Sequence, residues 1–336
     1  MDLLDKQLQV GLKGDFEEAW RIAQILEKER PQCNRAAFNR GWYVLSHGDL
    51  QKGFELLDRG RWEGVFGSPP LMTNKPIYNF GDDLKDKHLI IRGEGGLGDE
   101  IINVRFAKDF AEKGAKVIVG ASQSLMSPFT RVEGVTCVTR RKFENNTYHD
   151  YWIPAMSAPR LSGTTYETLS GKPYLMAKNK IELPGNFKIG IRWSGNPEFE
   201  HEQHRKFPPK KLIDIHKIKG TSVYSFQKDD DLQDLPDGVV DLNNLLLEWE
   251  DTLNFLAGMD LVITSCTSIA HASGALGIET WVIVPILPYY IWALPGNKSP
   301  WYDSVTLYRQ TKYGYWDDVF EKIKRDLKRR ISKRRI

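Results

Sequence analysis

Apolar and polar positions follow different periods along the chain. In residues 1–65 the apolar side chains recur at helical spacing, and two turns, Gly14-Asp15-Phe16 and Gly48-Asp49-Leu50, repeat at an offset of 34. At the same offset Val10 matches Val44, Ala19 matches Gly53, and Trp20 matches Phe54. About 34 residues is the tetratricopeptide period, a helix–turn–helix with small residues where helices touch. Two copies fall below the roughly three that stand alone, so this segment is expected to pack on the domain that follows. A plain pair of helical hairpins fits the same pattern.

From residue 87 the pattern changes to short apolar runs alternating with helical stretches. Strands are predicted at His88–Arg92, Lys116–Val119, Val135–Val138 and Tyr151–Ile153, then at Lys188–Trp193, Ser222–Phe226, Leu261–Ser265 and Trp281–Val284. Helices are predicted at Ser122–Phe129, Leu212–Ile218, Thr252–Ala257 and from near Thr267. Such alternation implies parallel sheets covered by helices on both faces. Residues 66–86, with Gly67, Pro69, Pro70, Pro76 and Gly81, read as a connector. A polar stretch broken by Pro159, Gly163, Gly171, Pro173, Pro184 and Gly185 puts a boundary near Pro184. The expected divisions are therefore 1–65, 66–86, 87–184, 185–318 and 319–336. In the last, Phe320, Ile323, Leu327 and Ile331 step along one helical face whose other side is basic.

Composition narrows the class. With 336 residues and 41% hydrophobic content, two or three cored domains are expected. No apolar run approaches the roughly 18 residues of a membrane span. The start of the chain lacks a basic stretch followed by an apolar core, so a cytoplasmic location is expected. Cys33, Cys137 and Cys266 are widely spaced and odd in number, which fits reduced thiols. Net charge is only +3, but residues 321–336 hold nine Lys/Arg against Glu321 and Asp326. That stretch carries +7 and the remainder −4, so contact with a polyanion or a membrane surface would centre on the tail.

The chemistry concentrates after the first strand. Gly93-Glu94-Gly95-Gly96-Leu97-Gly98 satisfies G-x-G-x-x-G and leads into a helix. Such a turn puts backbone N–H groups where a phosphate can sit. A dinucleotide site also wants an acid roughly 20 residues on; here the second strand runs into Gly120, Ala121 and Ser122, which disfavours a nicotinamide cofactor. Thr267 and Ser268 stand where a strand becomes a helix and could hold phosphate or simply cap. Arg205 and Lys206 follow the Ser194–Asn196 turn, and Gln227 and Lys228 end a strand. Asp229-Asp230-Asp231 contains D-x-D, read as a solvated charge run. His201 and His204 with Glu198, Glu200 and Glu202 match no standard zinc spacing.

These motifs resemble the tetratricopeptide-containing glycosyltransferases of bacteria and phages, which are similar to the heptosyltransferases of family 9 and the O-GlcNAc transferases of family 41. The resemblance runs from about residue 35 to 318. It rests on Gly93–Asp99, on Ile191-Arg192-Trp193-Ser194-Gly195-Asn196-Pro197, on Ala270-His271-Ala272-Ser273-Gly274-Ala275-Leu276-Gly277, and on Ser299-Pro300-Trp301-Tyr302 with Arg309-Gln310. It implies a GT-B fold: two Rossmann-like domains facing across a cleft, the acceptor on 87–184 and the nucleotide sugar on 185–318, with a TPR-like helical segment before them. A final helix would cross back to the first domain. The implied activity is metal-independent transfer of a hexosyl or N-acetylhexosaminyl group, with no cofactor beyond the nucleotide-diphosphate sugar. The acceptor is open among glycan, lipid-linked glycan, protein and DNA.

By the same resemblance Asp99 is the general base, with Glu100 the less favoured substitute. Donor contacts fall to Gly96, Gly98, Trp193, Ser194, Gly195, Asn196, Arg205, Lys206, Gln227, Lys228, Thr267, Ser268 and His271. Heptosyltransferases carry an aspartate at the position of Cys266, and a cysteine is no substitute for a strong acceptor. This departure puts a heptose donor in doubt and leaves room for an uncharged hexose-type or N-acetylated one. An inactive GT-B-like binding or structural protein is the alternative.

Overall fold

The computed structural model describes residues 2–68, 71, 73–199, 202–228 and 233–334. Glu200, His201 and Asp229-Asp230-Asp231 lie outside the described residues, as do Pro69 and Pro70.

Four helices open the chain: α1 (Leu3–Leu12), α2 (Phe16–Glu29), α3 (Asn34–Ser46) and α4 (Leu50–Leu57). The repeated Gly-Asp turns have a mechanical reason. Gly14 and Gly48 take φ of 83° and 93°, the left-handed conformation that ends a helix. Asp15 and Asp49 then cap the next helix, accepting the N–H of Glu18 at 3.1 Å and of Lys52 at 2.9 Å. The segment was expected to pack on the domain that follows it; its aromatic contacts reach the second half of the chain. Phe54 meets Tyr290 edge-on at 5.5 Å and lies 6.2 Å from Trp301, and Trp42 meets Tyr289 at 5.9 Å.

A 3₁₀ turn, Asp58–Glu63, precedes the first sheet. The chain continues through β1 (His88–Arg92), α5 (Leu97–Asn103), α6 (Ala107–Glu112), β2 (Lys116–Ala121), α7 (Met126–Phe129), β3 (Val135–Arg140), β4 (Tyr151–Pro154) and α8 (Ala158–Leu161). The four strands pair in parallel in the order β3-β2-β1-β4. A second series follows: β5 (Phe187–Arg192), α9 (Glu202–Arg205), α10 (Pro209–Ile213), β6 (Thr221–Ser225), β7 (Val239–Asp241), α11 (Trp249–Leu256), β8 (Leu261–Ser265), α12 (Ser268–Ala275), β9 (Thr280–Val284), β10 (Val305–Arg309) and α13 (Asp317–Arg334). Its six strands are also parallel, in the order β10-β9-β8-β5-β6-β7.

The apolar runs predicted as strands are strands. The sequence reading missed β7 and β10, both at sheet edges. β7 is three residues long with Val240 exposed, and β10 alternates buried with half-exposed positions next to polar turns. Two predicted helices are shorter than expected. Residues 122–129 begin as a 3₁₀ turn before α7. α10 starts at Pro209 and gives way to 3₁₀ geometry over Asp214–Lys217.

The two faces of the second sheet have different covers. Val262 on β8 joins the larger core with Ile269 and Ala272 of α12; Leu261 and Ile263 face the other way. There Phe320, Ile323, Leu327 and Ile331 of α13 bury among Ile189, Ile263, Trp281 and Tyr308. This corrects the expectation that the final helix crosses back to the first domain: its apolar stripe finds an open, wholly apolar sheet face beside it. Among the described residues no helix is long and apolar enough to cross a membrane.

Leu327 is fully buried, whereas Arg325 on the same helix is exposed. Leu327→Ala is expected to lower unfolding free energy by about 2–5 kcal/mol, and Arg325→Ala by no more than about 0.5 kcal/mol, measured by denaturant unfolding.

Candidate functional site

The glycine turn between β1 and α5 is held by carboxylates. Glu94 is fully buried. Arg61 grips it with two bonds, Nη1 to Oε2 at 2.5 Å and Nη2 to Oε1 at 2.7 Å. The N–H groups of Ser68 and Met156 complete its shell at 2.9 and 2.8 Å. Glu144 accepts the N–H of Gly93 at 2.9 Å. Asp99 reaches back from α5 to accept the N–H of Gly96 at 2.9 Å. Two amides expected to face a phosphate are thus occupied by the protein's own carboxylates. Glu100, the substitute base, turns away from the turn. It accepts the N–H and the hydroxyl of Ser122, both at 2.8 Å, and pairs with Arg141 at 3.0 Å.

Gly98 serves another close approach. A Cβ there would lie 3.0 Å from His271 Cδ2 and 3.5 Å from the Ser268 Cα, so α5 and α12 pack side to side at this point. His271 is buried, stacked on Trp292 at 5.4 Å, with Nδ1 3.4 Å from the Tyr302 hydroxyl. Burial, helped by Arg105 and Arg205, pushes its pKa down to about 3, so it is a neutral packing residue in this arrangement. Arg105, which the sequence reading passed over, is buried beside it. Arg105 donates to the carbonyls of Trp301 at 2.7 Å and Ser170 at 3.3 Å and to the Tyr174 hydroxyl at 2.9 Å.

The second oxygen of Asp99 meets two tyrosines. The Tyr289 hydroxyl donates to Oδ1 at 2.8 Å and the Tyr290 hydroxyl lies 3.4 Å away. Asp99 keeps part of its surface accessible, yet dense protein surrounds the carboxyl. Burial raises its pKa, and the Gly96 N–H and Tyr289 only oppose that. A helix N-terminus favours an ionised carboxylate, but here loss of water outweighs everything that opposes it.

Tyr289 links Asp99 to the second sheet. Its ring meets Phe199 at 5.8 Å, and the Arg205 guanidinium lies over Phe199 at 4.8 Å. Arg205 also pairs with Glu202 and donates to the carbonyl of Cys266. A Cβ at Gly195 would come within 2.5 Å of Arg205 Nη2 and 3.2 Å of Thr267 Cγ2. Ser194, Gly195, Arg205 and Thr267 therefore meet at the carboxyl ends of β5 and β8, where open parallel sheets bind ligands.

Other predicted residues have structural duties. Gln227 accepts the N–H groups of Trp193 at 3.3 Å and Ser194 at 3.2 Å and donates to the Ser194 hydroxyl at 2.8 Å, so it braces the turn. The Trp193 ring belongs to the core under α13. Lys228 donates to the Leu246 carbonyl. The Thr267 hydroxyl pairs with Thr264 at 3.3 Å instead of capping α12, and Ser268 opens that helix half-buried. Asn196 and Lys206 are exposed. Tyr289, Tyr290 and Phe199 were missed because they lie in loops without periodicity. Only the paired tyrosines after Pro288 offered a signal.

Arg61→Ala would strand a buried charge on Glu94, and a loss of about 3–5 kcal/mol is expected in denaturant unfolding. Lysine should not restore it, because it lacks the two-pronged fork. Glu144 gives a pH signature. Burial above all raises its pKa from 4.5 to about 7, against the pull of the Gly93 N–H, Arg92 and Arg141. The folded state then binds more protons than the unfolded state between those values, so Glu144 makes stability fall as pH rises from 4.5 through 7. Glu144→Gln should remove that part of the slope in unfolding measured across the window.

No family model matches the chain. A curated relative, protein FlbA of Caulobacter vibrioides, is 23% identical over 329 residues, covering 85% of this chain and 54% of FlbA. The chain thus spans about half the length of that relative. Among solved structures, TibC of enterotoxigenic Escherichia coli H10407 matches with a TM-score of 0.52 at 15% identity, over 71% of this chain and 67% of TibC. A family 9 glycosyltransferase of Veillonella parvula matches with a TM-score of 0.53 at 10% identity, over 74% of this chain and 90% of that one. The expectation that no metal takes part is corrected here: TibC is an iron-containing, dodecameric glycosyltransferase, so this fold does carry a metal in a known case. Among the described residues, which leave out Glu200 and His201, no group of three or more His, Cys, Asp or Glu is placed to hold an ion. What these likenesses establish is the architecture, the mixed α/β fold with parallel sheets found in GT-B glycosyltransferases.

Proposed function

We propose that this chain is a glycosyltransferase that moves a sugar from a nucleoside-diphosphate donor to an acceptor hydroxyl or amide. The observation that carries the reading is Asp99, a carboxylate of raised proton affinity at the face where the glycine turn meets α12. In the step, the acceptor atom bonds to the anomeric carbon as the bond to the diphosphate breaks. The electron pair leaves with the nucleoside diphosphate, and the acceptor proton passes to Asp99. Tyr289 orients the carboxylate through its 2.8 Å bond. Arg205 and the start of α12, beside Ser194 and Gly195, would receive the diphosphate charge. The first sheet would then hold the acceptor and the second the donor, with the opening helices as a TPR-like support.

The donor reading is of hexose or N-acetylhexosamine type. Cys266 supports it. The thiol is buried, donates to the Ile283 carbonyl at 3.2 Å, and has its pKa pushed up to about 12 by burial, so it offers no anionic acceptor to a sugar. One observation favours a second reading, a binding protein without turnover: the glycine-turn amides are occupied and His271 fills the space at Gly98.

Turnover of a nucleotide-sugar panel separates the two. With the active donor, Asp99→Asn is expected to cut kcat by about 10²–10⁴ with donor affinity nearly unchanged. A rate near that of the unaltered protein would remove Asp99 as base. Arg205→Ala should raise the donor Kd by roughly tenfold to a hundredfold, as expected for one lost charge-assisted contact. Donor binding without turnover across the panel, unchanged by Asp99→Asn, would favour the binding protein.

A further inference from the structure

Between α13 and the turn before β6, a cavity of about 560 Å³ is lined by Lys217, Lys219, Lys324 and Lys328, with Asp214, Ile218, Ile331 and Ser332. The first two lysines come from the turn before β6 and the other two from α13, so the fold joins charges that lie a hundred residues apart in sequence. Asp214 is the single acid of the lining. Its Oδ1 pairs with Lys217 at 2.8 Å and with Lys210 at 3.9 Å. Those lysines, Lys217 first, hold its carboxyl below the usual range, which marks a locally positive field. Lys219, Lys324 and Lys328 form no ion pair with a described residue.

Arg325, Arg329 and Lys333 extend the same charge along the helix and are exposed. Asp326, the acid within this run, is shared by Arg325 at 3.4 Å and Arg329 at 3.8 Å and accepts from the Tyr308 hydroxyl at 3.2 Å. The other acids, Asp317, Asp318 and Glu321, stand at the start of the helix, and Asp317 is paired with Lys211. With 18 residues the helix is about 27 Å long. Its apolar stripe is committed to the second sheet. The basic side is therefore held in place as an extended surface.

We propose that this lysine-lined face of α13 docks the protein on an anionic phospholipid surface. The chemistry favours that occupant over a small soluble phosphate, because Lys217, Lys219 and Lys328 are exposed, Lys324 is half-buried, and among the described residues no buried polar group lines the groove. Solvated charges of this kind attract an extended array of opposite charge and hold a single small anion poorly. No aromatic side chain lines the groove, which disfavours single-stranded nucleic acid, whose bases need stacking platforms. The remainder of the chain carries −4 against +7 in residues 321–336. A negative surface would therefore repel the rest and orient the molecule with α13 toward it.

The full chain should sediment with vesicles of phosphatidylcholine containing phosphatidylglycerol and not with phosphatidylcholine alone, and raised salt should release it. Charge reversal at Lys217, Lys219, Lys324 and Lys328 together should weaken partition by at least about tenfold, while Lys85→Glu with Lys87→Glu, exposed lysines outside the patch, should leave it unchanged. Circular dichroism checks the fold. If the fourfold variant is misfolded, Lys217→Gln with Lys219→Gln, outside the helix, should still reduce binding measurably. Equal partition onto neutral and anionic vesicles, or full binding by a folded patch variant, would overturn the proposal. So would a DNA duplex, or inorganic pyrophosphate, bound more tightly than the vesicles at the same salt.

Discussion

The bidentate pair between Arg61 and Glu94 is the interaction on which the rest of the architecture turns. A carboxylate with no exposed surface, in the middle of a glycine turn, is tolerable only if every acceptor position is filled. Arg61 fills two, and the Ser68 and Met156 amides fill the others. Arg61 comes from the 3₁₀ turn after α4, whose Asp58 also binds the Ser157 hydroxyl at 2.6 Å and Arg160 at 3.1 Å. One network thus fixes the opening helices, the glycine turn and the end of β4 to each other. Asp99 inherits its position from that turn.

The sign of charge divides across the site. Glu94, Asp99, Glu100 and Glu144 crowd around the glycine turn, each held by partners of its own, Asp99 by the Gly96 N–H and the two tyrosine hydroxyls. Such a turn repels phosphate. The opposite wall, at the carboxyl ends of β5 and β8, carries Arg205 against Gly195 and Thr267. In the proposed reaction Asp99 would take the proton of the acceptor and Arg205 would meet the charge of the leaving diphosphate. Phe199 and Tyr289 link the two, ring against ring with the Arg205 guanidinium over Phe199.

Aromatic packing joins the halves. Phe54 and Phe66 meet Tyr290, Phe54 lies beside Trp301, and Arg105 ties α5 and α6 to the carbonyl of Trp301. The larger core therefore runs without a break from the opening helices through the first sheet to α12. Substitutions in this seam are expected to be felt at Asp99, because the tyrosine that orients it is part of the seam.

By itself the sequence determined the class and most of the elements, though not the edge strands β7 and β10. Alternating apolar runs specified parallel strands, since a strand buried on both faces must be apolar throughout. The stepping of Phe320, Ile323, Leu327 and Ile331 specified an amphipathic final helix. The Gly-Asp repeats specified where α2 and α4 begin, because left-handed glycine and a capping aspartate are local requirements. The resemblance of the chain's motifs to glycosyltransferases also singled out Asp99, Arg205 and the Ser194–Asn196 turn. Tertiary structure decided which of those groups face each other. That Gln227 braces a turn, that His271 is a buried neutral ring against Gly98, that α13 covers the second sheet, and that Tyr289 orients Asp99 all depend on contacts between distant residues. The direction of the Asp99 pKa was decided there too: the helix terminus is a local term legible in sequence, but the loss of water that outweighs it exists only once the chain has closed around the carboxylate.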